Sequence, residues 1–140
     1  MLINLSIQDY AVVDQLEVDL NPGMTCITGE TGAGKSIMLD ALGLCIGDRA
    51  DSKAIRPGAA RTDIAACFDV SHNTRAQVWL AERDLDASGD CILRRTITAE
   101  GRSRAYINGS PTTLSDSVSY THLRAHETEA DLVCRLLLEK

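Results

Sequence analysis

The sequence has 140 residues, of which 44% are hydrophobic, 24% charged and only 4% aromatic, and its formal net charge is -6. That length fits one domain with a core built mainly from Ile, Leu, Val and Ala. The acidity excludes a surface that attracts nucleic acid over its whole extent, so any such contact must be local. The amino terminus, Met1-Leu2-Ile3-Asn4-Leu5-Ser6, has neither a basic segment nor a long apolar run. No signal peptide and no membrane span are expected, and the expected location is the cytoplasm.

Residues 2–7 and 15–20 read as two short strands close enough to pair as a hairpin. The second, Gln15-Leu16-Glu17-Val18-Asp19-Leu20, alternates apolar and polar residues with period two. Asn21-Pro22-Gly23 marks a turn, and Met24-Thr25-Cys26-Ile27-Thr28 is a short, mostly apolar strand. From Lys35 the apolar positions Ile37, Met38, Ala41, Leu42, Leu44 and Cys45 follow a helical stripe that Gly47 should end. Residues 48–61 read as a loop, Asp63 to Val70 as a strand, Thr74 to Arg83 as a helix and Cys91 to Thr98 as a strand. Ala99-Glu100-Gly101-Arg102 then turns the chain into a last strand, Arg104 to Asn108. No internal repeat or low-complexity tract is present.

Between the strand at 24–28 and the helix stand Gly29-Glu30-Thr31-Gly32-Ala33-Gly34-Lys35-Ser36, the Gly-x-x-x-x-Gly-Lys-Ser spacing of a phosphate-binding loop. Strand-loop-helix context separates a working loop from a chance match. The glycines let the backbone curl with its N–H groups inward, a nest that suits anionic oxygens, and the following helix adds roughly half a positive charge at its N-terminus. Lys35 supplies a full charge for the β- and γ-phosphates of ATP, and the Ser36 hydroxyl is placed to ligate Mg²⁺. Lys35 is one of only three lysines, with Lys53 and Lys140, against eleven arginines. An ordinary glycine-rich turn is the plain alternative, and the eight matching positions weigh against it.

Small-molecule kinases usually place this loop after the first strand of the domain, whereas two strands precede it here. That layout resembles the ATP-binding cassette class, whose nucleotide lies between a parallel core and an added antiparallel sheet. Leu2-Ile3-Asn4-Leu5-Ser6-Ile7, the acidic second strand, Thr28 to Ser36, Leu44-Cys45-Ile46-Gly47-Asp48-Arg49-Ala50 and the hairpin Gly101 to Gly109 together resemble the bacterial RecN family. These are DNA double-strand-break repair ATPases related to the structural-maintenance-of-chromosomes (SMC) proteins. The resemblance covers residues 1 to about 116. It implies an α/β P-loop NTPase fold, the N-terminal half of an ABC/SMC-type ATPase head with a leading antiparallel β-hairpin. It further implies ATP and Mg²⁺ as ligands, the missing C-terminal half of the head as a partner, and a parent that dimerises and acts on DNA in the nucleoid. Arg56 sits where related heads carry an arginine that couples ATP and DNA; a solvated loop arginine is the alternative.

Turnover in this class needs a Walker B strand ending in two acids, and no such strand follows residue 36. Signature and glutamine-loop elements and heptads are absent as well, so no catalytic residue is assigned and binding without turnover is expected. The readings that stay open are a RecN-like ATP-binding lobe, an isolated nucleotide-binding fragment and a P-loop small-molecule kinase. Residues 117–140 depart from the family and are similar to a tail that recurs on unrelated conceptual translations from environmental sequencing, which implies a foreign end. Within it His126-Glu127 begins like a zinc-protease motif, but Ala130 stands where the second His is required. Arg94, Arg95, Arg102 and Arg104 form a basic island opposed only by Glu100, read either as a DNA contact or as a solvated hairpin face. The scattered Cys26, Cys45, Cys67, Cys91 and Cys134 read as reduced, buried thiols.

Overall fold

The computed structural model describes residues 1–23, 33–86, 88–116 and 119. Within them, strands β1 (Leu2–Tyr10), β2 (Val13–Asp19), β3 (Arg61–Asp69), β4 (Asp90–Thr98), β5 (Ser103–Ile107) and β6 (Ser110–Thr112) form one sheet in the order β2-β1-β3-β4-β5-β6. Every pairing is antiparallel. Helix α1 (Ala33–Ile46) packs on β1, β3 and β4, and helix α2 (Thr74–Ala81) connects β3 to β4. The strand expected at 24–28, residues 29–32 of the phosphate loop and the tail from 120 onward lie outside the described residues.

One face of the sheet makes the core. In β3 the buried positions are Thr62, Ile64, Ala66 and Phe68, and in β4 Cys91, Leu93, Arg95 and Ile97, a strict alternation. β1 changes phase, since Leu2, Leu5, Ile7 and Tyr10 are all buried. A bulge between Leu2 and Asn4 and the left-handed Asp9 (φ 53°) each reset the alternation. On α1 the buried stripe Met38, Ala41, Leu42 and Cys45 follows the i, i+3, i+4, i+7 pattern. Gly47 (φ 121°) ends the helix as expected, and the Asp48 N–H donates to the Gly43 carbonyl at 3.0 Å.

The stretch 48–61 is more ordered than a plain loop. A single 3-10 turn at Ser52–Ala54 is capped by Asp51, whose carboxylate accepts from the Lys53 N–H at 2.9 Å. Ile55 then bridges to Tyr10, and the Ala11 N–H donates to the Ala54 carbonyl at 2.6 Å. The segment is thereby clamped to the β1–β2 turn.

Arg95 corrects the basic island. Its position in the β4 alternation puts it on the core face, 2% exposed, while Arg94 points to the other face. Its Nε donates to Ser103 Oγ at 2.6 Å, and its Nη1 has no hydrogen-bond partner among the described residues. Burial pulls its pKa below the usual arginine value. The guanidinium lies near Cys45 in the last turn of α1, a turn with no basic residue of its own, where positive charge complements the helix dipole. Arg95→Met is expected to leave the denaturant midpoint unchanged or raised, because methionine fills similar space without a buried, half-satisfied charge. Arg95→Ala should lower stability by about 2 kcal/mol through the cavity it leaves. A midpoint that falls as far for Met as for Ala would show that the charge itself is needed.

Cys45 and Cys91 are buried and Cys67 half-buried, and all three are present as thiols. Burial pushes the Cys45 thiol up to about 12, against the opposing charge of Arg95 and backbone N–H donors. It is an inert packing residue.

Candidate functional site

Ala33, Gly34, Lys35 and Ser36 form the first turn of α1, so the end of the phosphate motif is the beginning of the helix. Backbone N–H groups of a first turn have no partners within the helix and carry its positive dipole end. No acidic residue stands in that turn to compete for them. Ser36 is exposed and Lys35 half-buried.

Gly34 is informative. Its φ is not positive, and a Cβ built on it would meet nothing within 4 Å. Neither backbone conformation nor packing against the described residues therefore demands glycine here. A helix N-terminus of this kind, with a lysine and a hydroxyl in its first turn, has the chemistry that suits the phosphates of ATP.

Arg56 sits against the β1–β2 turn. Its N–H donates to the Asp9 carbonyl at 2.9 Å, and its Nη1 lies 2.8 Å from Asp14 Oδ1 and 3.9 Å from Asp9 Oδ1. Both carboxylates flank the β1–β2 turn, so Arg56 fastens the 51–56 segment to that turn. Its side chain remains 42% exposed. Its carbonyl accepts from the Ala59 N–H at 3.0 Å.

Opposite the core, register sorts the outer face of the sheet by charge. One row across the strands reads Glu17, Ser6, Ala65, Arg94, Tyr106, and the next reads Gln15, Gln8, Asp63, Thr96, Arg104. Acids gather at β2, where Asn4 Nδ2 donates to Asp19 at 2.8 Å and to Glu17 at 3.4 Å. Bases gather at β4 and β5. Between them Asp63, 16% exposed, accepts from Arg94 Nη2 (2.6 Å), Thr96 Oγ1 (2.7 Å) and Arg61 Nε (3.0 Å). Burial works to raise the Asp63 pKa, but the Thr96 and Arg94 hydrogen bonds and the arginine charges outweigh it, and the net shift is downward. Its contribution to stability is therefore full above the unfolded value of about 3.9 and is lost as pH falls through the lower folded value. Spacing in the sequence identified Arg94, Arg102 and Arg104; Arg61 and Asp63 complete the cluster only through strand register.

Among the described residues no group of His, Cys, Asp and Glu could hold a metal ion, and no helix is long and apolar enough to cross a membrane.

Comparison with known proteins gives this arrangement its context. Residues 4–128 match the AAA domain family, a match that runs past residue 117. The chain is 52% identical over 115 residues to the DNA repair protein RecN of Vibrio cholerae, covering 82% of this chain and 21% of that protein. It is 37% identical over 116 residues to the RecN of Bacillus subtilis, covering 82% and 20%. The chain thus spans about a fifth of the length of the curated relatives it matches. In structure it is similar to a protein solved in work on ATP-driven dimerization and DNA-stimulated activation of SMC ATPases, with TM-score 0.73 and 20% identity, covering 87% of this chain and 78% of that one. It is also similar to the recombination mediator RecF, with TM-score 0.65 and 12% identity over 84% of this chain and 29% of that one. The family match over most of the chain and the RecN likeness agree with the antiparallel sheet and the helix that opens on Gly34-Lys35-Ser36: the chain belongs to the AAA domain family.

Proposed function

We propose that this chain is the ATP-binding lobe of a RecN-like ATPase that acts in DNA double-strand-break repair and recombination. The observation that carries it is Gly29-Glu30-Thr31-Gly32-Ala33-Gly34-Lys35-Ser36 running into the first turn of α1 in an AAA domain. In a working loop of this spacing, backbone N–H groups of residues 29–34 would meet the phosphates, Lys35 would neutralise the β- and γ-oxygens, and Ser36 would hold Mg²⁺. Bound Mg²⁺ would supply charge neutralisation across those oxygens. The lobe works with the C-terminal half of its head, and two such heads act together on DNA. Arg56 links nucleotide state to DNA in this reading. Residues 117–140 are an addition to the lobe.

Turnover needs a water oriented and deprotonated in line with the γ-phosphate, and the sequence carries no Walker B strand to supply the base. The chain alone is therefore expected to bind Mg·ATP by calorimetry and to release no phosphate. Mixing it with the C-terminal half of an intact relative should restore release. Turnover by the chain alone, abolished by Lys35→Ala, would place the catalytic carboxylate within these residues and overturn the binding-lobe reading.

A further inference from the structure

We infer that the outer face of β3, β4 and β5 is a docking surface for the phosphodiester backbone of nucleic acid. This rests on the reading above in one respect only, that the protein meets DNA. The surface itself follows from the register of the sheet.

Three rows of outer-face positions make a grid. Arg61, Thr98 and Arg102 lie side by side, then Asp63, Thr96 and Arg104, then Ala65, Arg94 and Tyr106. Strand spacing sets neighbours across a row about 4.8 Å apart and neighbours along a strand about 6.8 Å apart. Four arginines thus stand on one patch, where the acids are Asp63 and Glu100, in a chain whose net charge is -6. The patch holds a depression of about 260 Å³ lined by Arg61, Arg94, Glu100, Arg102, Arg104 and Tyr106.

The cations are positioned rather than merely present. Asp63 grips Arg61 and Arg94 from between them, and the Arg94 guanidinium lies 5.7 Å over the Tyr106 ring. Arg94 is thereby held over the sheet, between an acid and an aromatic face. The Arg102 guanidinium pairs with Glu100 at 3.5 Å with both side chains 74% exposed, a pair that solvent and salt weaken. Arg104 is exposed and has no acidic partner among the described residues. Two oriented and two available guanidinium groups on an open face suit a polymer of phosphates better than one enclosed anion. The acidic β2 side of the same face limits the track, because Glu17 and Asp19 repel a polyanion there.

The test uses the full chain and a short fluorescein-labelled DNA duplex, with affinity measured by anisotropy across a salt series. Arg102→Ala with Arg104→Ala should weaken binding by roughly 5- to 10-fold per arginine near 0.1 M salt and flatten the log–log salt slope by about one per arginine. Asp63→Asn, which removes the competing acid, should tighten binding and steepen the slope. All three substitutions should leave Mg·ATP affinity unchanged, so a failure of nucleotide binding is read separately. Unchanged affinity and slope in the double variant would overturn the inference. So would inorganic phosphate that competes as well as DNA at equal phosphate concentration, since that describes a single-anion site.

Discussion

Lys35→Ala is expected to weaken Mg·ATP binding by roughly 10- to 100-fold, since a charge-assisted hydrogen bond contributes about 1.5–3 kcal/mol. Lys35 stands in the first turn of α1, where the helix dipole already favours an anion. The lysine adds a full charge on a flexible stem to those fixed partial charges. Lys35→Arg should not restore affinity fully, because a planar fork does not reproduce a compact ammonium at a crowded phosphate. Gly34→Ala supplies the steric counterpart. The built Cβ meets no atom of the described residues within 4 Å, so thermal stability should hold or rise by up to about 1 kcal/mol through better helix propensity. ATP affinity should nevertheless fall, because the methyl group enters the space that the phosphates need. Calorimetry with unchanged affinity in both variants would remove the phosphate cradle from this end of α1.

How much of this was legible in the residues depends on the range of the force that decides each feature. The α1 stripe and its end at Gly47 are local, set by a 3.6-residue period and one left-handed residue, and both stand where the pattern puts them. β3 and β4 likewise follow from alternation. The strand at Ser110–Thr112 did not, since Pro111 argues against a strand; it is tolerated at an edge that pairs on one side only. The signal that could have found it is Asn108-Gly109, a two-residue turn that calls for a returning strand. Arg95 shows the other limit. In the sequence it sits beside Arg94 as half of a basic pair, yet consecutive strand residues face opposite ways and one of them enters the core. Strand register decides which acid meets which arginine, and register is a long-range property that Asp63, 31 residues before Arg94, does not announce.

Asn108→Ala is expected to destabilise the chain by about 2–4 kcal/mol, a fall in Tm on the order of 10 °C. Asn108 opens the β5–β6 turn with φ 48°, a conformation that costs an alanine about 1–2 kcal/mol and that asparagine and glycine adopt more readily. Its side chain also joins three segments. Oδ1 accepts from the Ile92 N–H of β4 at 2.8 Å, while Nδ2 donates to the Leu85 carbonyl at 2.5 Å and to the Asp90 carbonyl at 3.4 Å. Leu85 belongs to the core beneath the segment that follows α2, so the amide ties that segment to the β4–β5–β6 edge. Alanine loses the backbone preference and the bonds together, and Asn108→Gly separates them. Glycine keeps the turn geometry but leaves the Ile92 N–H and the Leu85 carbonyl without this partner, so it should lose about half as much as alanine. Thermal melts of the three proteins give the ordering wild type, glycine, alanine. If glycine melts with the wild type, the amide bonds contribute nothing and the residue serves only its φ; if alanine does as well, Asn108 is not the joint between α2 and the sheet edge.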